Sequence, residues 1–152
     1  MVFMVKKMDE KGLDMAEVSD VVSFATGSKK EFTELSKKVI GCAIEVHKAL
    51  GPGLLESAYQ QCLCHELRLK QIAFEVEKPL PVNYKGCRLD CGYRMDIVVE
   101  DEIIIELKSV EQLARIHEAQ ILSYMKLAGV KQGFLINFNV GLLKDGLKSF
   151  VL

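Results

Sequence analysis

Residues 93–108, YRMDIVVEDEIIIELK, constrain the fold more than any other stretch of this chain. Two runs of branched apolar residues flank an acidic triplet, Glu100-Asp101-Glu102. Runs of this length and composition suit buried β-strands, and two so close together predict an antiparallel hairpin. With the triplet as the loop, Val99 faces Ile103 and Asp96 faces Glu106. Side chains alternate along a strand, so Glu106 and Lys108 share one face while Ile105 and Leu107 take the other. One face of the hairpin then carries two carboxylates and an ammonium group beside Val98 and Ile104.

A carboxylate buried without partners is strongly destabilised or takes up a proton. Two arrangements relieve that cost. Lys108 can pair with Glu106 or Asp96 at the rim of the hairpin, a surface ion pair worth about 0–1 kcal/mol. Alternatively, the convergent carboxylates hold a hard divalent cation such as Mg2+, which prefers oxygen ligands. Spacing alone does not separate the two.

The chain of 152 residues predicts one domain, burying roughly 68–70% of its extended-chain surface. Its 49% hydrophobic and 27% charged residues match an ordinary globular protein. A formal net charge of −1 excludes a nonspecific nucleic-acid coat, which would be basic, and confines any nucleic-acid contact to a local patch or to metal ions. No apolar run approaches the roughly 18 residues of a membrane span, and MVFMV is too short for the apolar part of a signal peptide. A cytoplasmic location without membrane contact is expected, where Cys42, Cys62, Cys64, Cys87 and Cys91 stay as thiols. Cys62 and Cys64 fall on a predicted helix, where residues two apart point about 200° apart, and no CxxC spacing occurs. This weighs against a cysteine-bound metal.

Residues 1–28 have no strong period and end on a Thr26-Gly27-Ser28 break, so an N-terminal extension is expected before a domain over 29–152. Leu35, Val39, Cys42, Ala43, Val46 and Leu50 recur at helical spacing and predict an amphipathic helix over 31–50. Lys30, Lys37 and Lys48 lie near one meridian of it, interrupted by Glu34 and Glu45, which reads as a solvated face. Gly51-Pro52-Gly53 stops the helix, and a second is expected over 54–70, with Glu56 and Tyr59 on one face. A carboxylate in a first helical turn needs no function, since it complements the positive end of the dipole.

Residues 72–78 and 80–84 read as strands, and Pro79 and Pro81 place them at a sheet edge or bend. A third helix is expected over 111–127, with Leu113, Ile116, Gln120 and Tyr124 along one stripe and Gly129 as its cap. GFLIN, 133–137, is a short buried strand, and the tail over 141–152 carries a Lys144-Asp145-Gly146 turn and a final apolar edge strand. The order of elements predicts an α/β (α+β mixed) fold, a mixed β-sheet flanked by helices on both faces. His47, His65 and His117 have no persuasive ligand spacing and read as satisfied or surface residues.

Gly53-Leu54-Leu55-Glu56-Ser57-Ala58-Tyr59 resembles the signature of the GxxExxY protein group. Asp96 with Glu106-Leu107-Lys108 resembles the D...ExK core of the PD-(D/E)XK nuclease superfamily, to which that group is similar. Gln120-Ile121-Leu122-Ser123-Tyr124 resembles the QxxxY motif of the superfamily's exonuclease branch, and the likeness covers about 29–152. Arg94-Met95 stands before Asp96 where the superfamily name has a proline.

The resemblance implies a PD-(D/E)XK nuclease-like core and a role for each matching residue. Asp96 and Glu106 would ligate Mg2+ or Mn2+ with the backbone carbonyl of Leu107, and Glu56 would assist the metal directly or through water. Lys108 would act on the attacking water or on the charge that grows at phosphorus, and Gln120 and Tyr124 would line the site. The expected function is metal-dependent hydrolysis of phosphodiester bonds in nucleic acid, DNA before RNA. The alternative is a catalytically inactive nuclease-fold module that binds nucleic acid or a protein partner. A homodimer through the helix over 31–50 is a third expectation.

Overall fold

The computed structural model of the protein describes residues 16–19 and 32–152. The extension expected over 1–28 lies outside the described residues except at 16–19, where Val18 is buried in the core and Glu17 pairs with Lys48.

Helix α1 spans Glu34–Leu50. Thr33 caps it, its side chain accepting the Ser36 N–H at 3.1 Å, and Glu34 complements the dipole in the first turn. The chain leaves α1 at Gly51, which has a φ of 65°. Helix α2 spans Glu56–Leu69 and starts later than residue 54. The reason is local. The Tyr59 hydroxyl donates to the Gly51 carbonyl at 2.5 Å and accepts the Leu54 N–H at 3.2 Å, holding 51–54 in an open turn.

Seven strands follow: β1 Phe74–Pro79, β2 Val82–Tyr84, β3 Cys87–Leu89, β4 Arg94–Val99, β5 Ile103–Lys108, β6 Gln132–Asn137 and β7 Leu147–Val151. Helix α3, Arg115–Ala128, joins β5 to β6. The main sheet has the order β1-β4-β5-β6-β7, with β5 and β6 parallel and the other pairs antiparallel. Of residues 80–84, expected as a strand at a sheet edge or bend, Val82–Tyr84 form β2, which pairs with β3 in a separate two-stranded sheet. The final edge strand is β7, as expected.

Helices cover both faces of the main sheet. Ile97, Val99, Ile105 and Leu107 pack with α1 and α2, while Val98, Ile104 and Leu135 pack with Ile121, Tyr124 and Met125 of α3. Strand β5 lies in the middle of the sheet with a helix layer on each side, which is why Ile103, Ile104 and Ile105 are all buried instead of alternating. Each such side chain contributes about 1.5–3 kcal/mol relative to exposure. Gly133 lets α3 approach, because a Cβ there would stand 2.6 Å from the Met125 sulfur.

Helix α3 begins at Arg115, not at 111. Its start is set by the Ala114 N–H donating to His117 Nδ1 at 3.0 Å and the His117 N–H donating to the Ala114 carbonyl at 3.0 Å. Ile116 therefore sits in the first turn and is 70% exposed, off the apolar stripe where its spacing placed it. Gly129 ends the helix with left-handed dihedrals, as expected.

Candidate metal and phosphodiester site

The β4–β5 hairpin forms in the predicted register, with Val99 opposite Ile103, Val98 opposite Ile104 and Ile97 opposite Ile105. Glu102 N–H donates to the Val99 carbonyl at 2.9 Å, closing a turn in which Glu100 and Asp101 have positive φ of 50° and 56°. One step beyond Ile97 and Ile105 the backbone is linked through side chains. The Asp96 N–H donates to Glu106 Oε1 at 3.2 Å, and the Leu107 N–H donates to Asp96 Oδ2 at 2.8 Å.

Both carboxyl groups are squeezed by this arrangement. Glu106 is 3% exposed. Burial first, then repulsion from Asp96, raises its pKa far above the usual carboxylate range. Burial also raises Asp96, opposed by the Leu107 N–H and by a hydrogen bond with Glu106. Two carboxyls within hydrogen-bonding reach in a dry setting hold a proton between them. The Lys108 ammonium lowers the pKa of both from longer range, and Lys108 makes no ion pair among the described residues. The rim ion pair that the spacing allowed is therefore not formed.

Lys108 lies at the carboxyl end of β5, paired with Asn137 at the end of β6. Carboxyl ends of parallel strands are where α/β sheets place their sites. Asn137, 2% exposed, clamps the next turn of chain: its side chain donates to the Val110 carbonyl at 2.9 Å and accepts the Val110 N–H at 3.1 Å. Tyr124 and Gln120 face the same cluster from α3, joined by a Gln120 Nε2 to Tyr124 hydroxyl hydrogen bond of 3.0 Å. Burial raises the Tyr124 pKa, and the charges of Glu106 and Asp96 raise it further.

The structure thus brings Asp96, Glu106, Lys108, Gln120 and Tyr124 together. Glu56 is at the first position of α2, on the helix layer of the opposite face, with its side chain exposed and, among the described residues, without a hydrogen bond or ion pair. Its turn is nonetheless tied to the site end of the sheet, since Ser109 Oγ donates to the Leu54 carbonyl at 2.6 Å. Among the described residues no three His, Cys, Asp or Glu side chains group as a metal-binding set. The oxygen donors that the cluster offers to a divalent cation are those of the Asp96–Glu106 pair, and such a set would suit a hard cation that completes its shell with water.

Two residues escaped the sequence reading. Glu77 on β1 sits at the break in the β1–β4 ladder between the Val76–Ile97 and Lys78–Met95 pairs, has a φ of 51°, accepts from Gln60 Nε2 at 3.1 Å, and its charge raises Asp96. Its alternation with Glu75 on an edge strand looks like solvent exposure. Asn137 was visible only as a polar residue closing an apolar run. The three histidines are accounted for locally: His47 bonds the Val140 carbonyl at 2.8 Å, His117 caps α3, and His65 is exposed on α2. All five cysteines are free thiols, and burial pushes Cys42 up to about 12.

A cleft of about 350 Å³ lined by Thr33, Asp101, Glu102, Lys131 and Gln132 lies at the other end of β5 and holds none of these groups. No helix among the described residues is long and apolar enough to cross a membrane.

A family model of the PD-(D/E)XK nuclease superfamily matches residues 33–150. No match was found among the curated proteins or among the solved structures. The match spans both strands of the hairpin, the α3 tyrosine and the clamping asparagine, and the mixed sheet with helices on both faces is that fold. The chain belongs to the PD-(D/E)XK nuclease superfamily.

Proposed function

We propose that the protein is a cation-dependent nuclease that hydrolyses phosphodiester bonds in DNA, and that it belongs with the GxxExxY group of its superfamily. The observation that carries this reading is the buried Asp96–Glu106 pair, in which Glu106 accepts the Asp96 N–H and Asp96 accepts the Leu107 N–H, so that each carboxyl is held against the neighbouring strand. Two carboxyl groups side by side at this depth oppose folding in their charged form unless a proton or a cation relieves them. The GxxExxY assignment rests on Gly53, Glu56 and Tyr59, of which Tyr59 fixes the loop and Glu56 opens the helix behind it.

In this reading Asp96 and Glu106, with the Leu107 carbonyl, hold Mg2+ or Mn2+. The bound cation supplies a water of lowered pKa and charge neutralisation at the phosphate oxygens. Lys108 Nζ donates to a phosphate oxygen or to the attacking water, and its strand fixes it two residues from Glu106. The Tyr124 hydroxyl and Gln120 amide orient water or the scissile strand, and Glu56 acts through water from the turn tied to Ser109. Asn137 keeps the chain beyond Lys108 in place.

The test is incubation of linear, circular and single-stranded DNA with Mg2+ or Mn2+ and wild type, Asp96→Ala or Lys108→Ala. Cleavage by wild type that drops at least about 100-fold in both variants is expected. Equal cleavage by all three proteins would sink the catalytic assignment. Absence of cleavage with intact DNA binding would favour the inactive binding module.

A further inference from the structure

Between β1 and β4 the chain makes a detour that the main sheet does not require. It leaves the sheet at Pro79, forms the two-stranded β2–β3 arm, and rejoins it at Arg94, two residues before Asp96. The base is pinned: Leu80 N–H donates to the Tyr93 carbonyl at 3.0 Å, and the Leu80 side chain is buried in the core beside Tyr124. Tyr93 then lies edge-on to Tyr124 with ring centres 6.0 Å apart, so the arm rises from the rim of the site.

Nothing within the described residues covers the arm itself. Val82 pairs with Leu89 and Tyr84 with Cys87, so these four side chains share one face, and Tyr84 is 58% and Leu89 43% exposed. A lone two-stranded hairpin is marginal in water and gains from a partner. Its charge says which kind. Over 80–94, Lys85, Arg88 and Arg94 stand against Asp90 alone, three cations to one anion, a net of +2 in a chain whose total is −1. Lys85 Nζ sits 5.4 Å from the centre of the Tyr84 ring, which places a cation beside a half-open aromatic face. Aromatic rings next to basic side chains are how proteins take hold of unstacked bases and their phosphates.

We infer that the β2–β3 arm is the strand-holding arm of the site, taking an unstacked base of a polynucleotide strand on Tyr84 and the adjoining phosphate on Lys85, while Arg88 on the arm's other face adds to its positive charge. This rests on the nuclease reading and names what that site grips. An unpaired strand or a frayed duplex end presents such a base, whereas a closed duplex does not.

The test is fluorescence anisotropy in EDTA, which prevents cation-dependent cleavage, with a single-stranded, a fork-ended and a closed hairpin-capped duplex oligonucleotide. Wild type is expected to bind the first two at least 10-fold more tightly than the third. Lys85→Glu should weaken single-strand binding at least 5-fold and lower the slope of log K against log salt by about 0.7, the loss of one phosphate contact. Tyr84→Ala should weaken it about 10-fold and leave that slope unchanged. Because the arm is exposed, both variants should unfold at the wild-type temperature. Variants that bind like wild type overturn the arm's role and leave the nuclease reading standing. A wild type that neither binds nor cleaves nucleic acid overturns both. Self-association in sedimentation that Tyr84→Ala abolishes, with DNA binding unaffected, would make the face a dimer surface and overturn the inference.

Discussion

Asp96 and Glu106 meet across the β4–β5 ladder so closely that the Asp96 backbone N–H donates to Glu106 Oε1 at 3.2 Å, in a position where two bare carboxylates would repel. Burial and that repulsion leave the pair holding a proton. A cation entering between them must displace it. Calorimetric titration with Mn2+ at pH 7 in buffers of different ionisation enthalpy should therefore show close to one proton released per ion bound. Asp96→Asn should weaken binding at least 10-fold.

The same pair makes cation-free stability depend on pH. Glu106 titrates near its ordinary 4.5 when unfolded and at about 9 when folded. Between those values the folded protein binds more protons than the unfolded chain, so stability is greatest at the acidic end and falls as pH rises through the window. The melting temperature without cation should drop by at least about 3 °C from pH 5.5 to 8.5. Glu106→Gln should flatten the profile, and saturating Mn2+ should remove the decline. A rising profile in EDTA would contradict the buried, shared proton.

Tyr59 stacks on Phe138 with ring centres 4.5 Å apart, while its hydroxyl spans Gly51 and Leu54. Tyr59→Phe keeps the stack and removes only the bridge. A loss of about 1–2 kcal/mol in urea unfolding is expected, with faster hydrogen exchange at Leu54. If the loop sets Glu56, DNA cleavage should fall by more than the lost stability explains.

Asn137 is buried and its amide holds both backbone groups of Val110, with a further bond from the Asn139 N–H at 3.2 Å. Asn137→Ala strands those groups and should cost about 2–3 kcal/mol. Asn137→Asp keeps the acceptor and loses the donor, so its stability should lie between the two. Denaturation midpoints of the three proteins check the order.

Much of this was legible because it follows from local periodicity. Branched apolar runs around Glu100-Asp101-Glu102 specified a hairpin and its register, since the acidic triplet fixes the loop and sliding a strand by one residue would turn its charged residues to the other face. The spacing from Glu106 to Lys108 placed both on one face for the same reason. Helix starts were less legible: α2 begins after a turn held by the hydroxyl of Tyr59, and α3 at a histidine cap, both side-chain effects that periodicity does not register.

The sequence by itself determined the hairpin, its charged face, the mixed α/β order and the family resemblance that named six site residues. Only the tertiary structure decided how those residues stand to one another. It set Tyr124 and Gln120 beside the carboxyl pair, left Glu56 on the helix layer of the far face, brought the charge of Glu77 within reach of Asp96, and separated β2 and β3 from the main sheet. The physical reason is range. Strand alternation and helical spacing act over a few residues, whereas the shared proton, the Asn137 clamp and the position of the arm come from strands and helices far apart in the chain, brought together by burying one core.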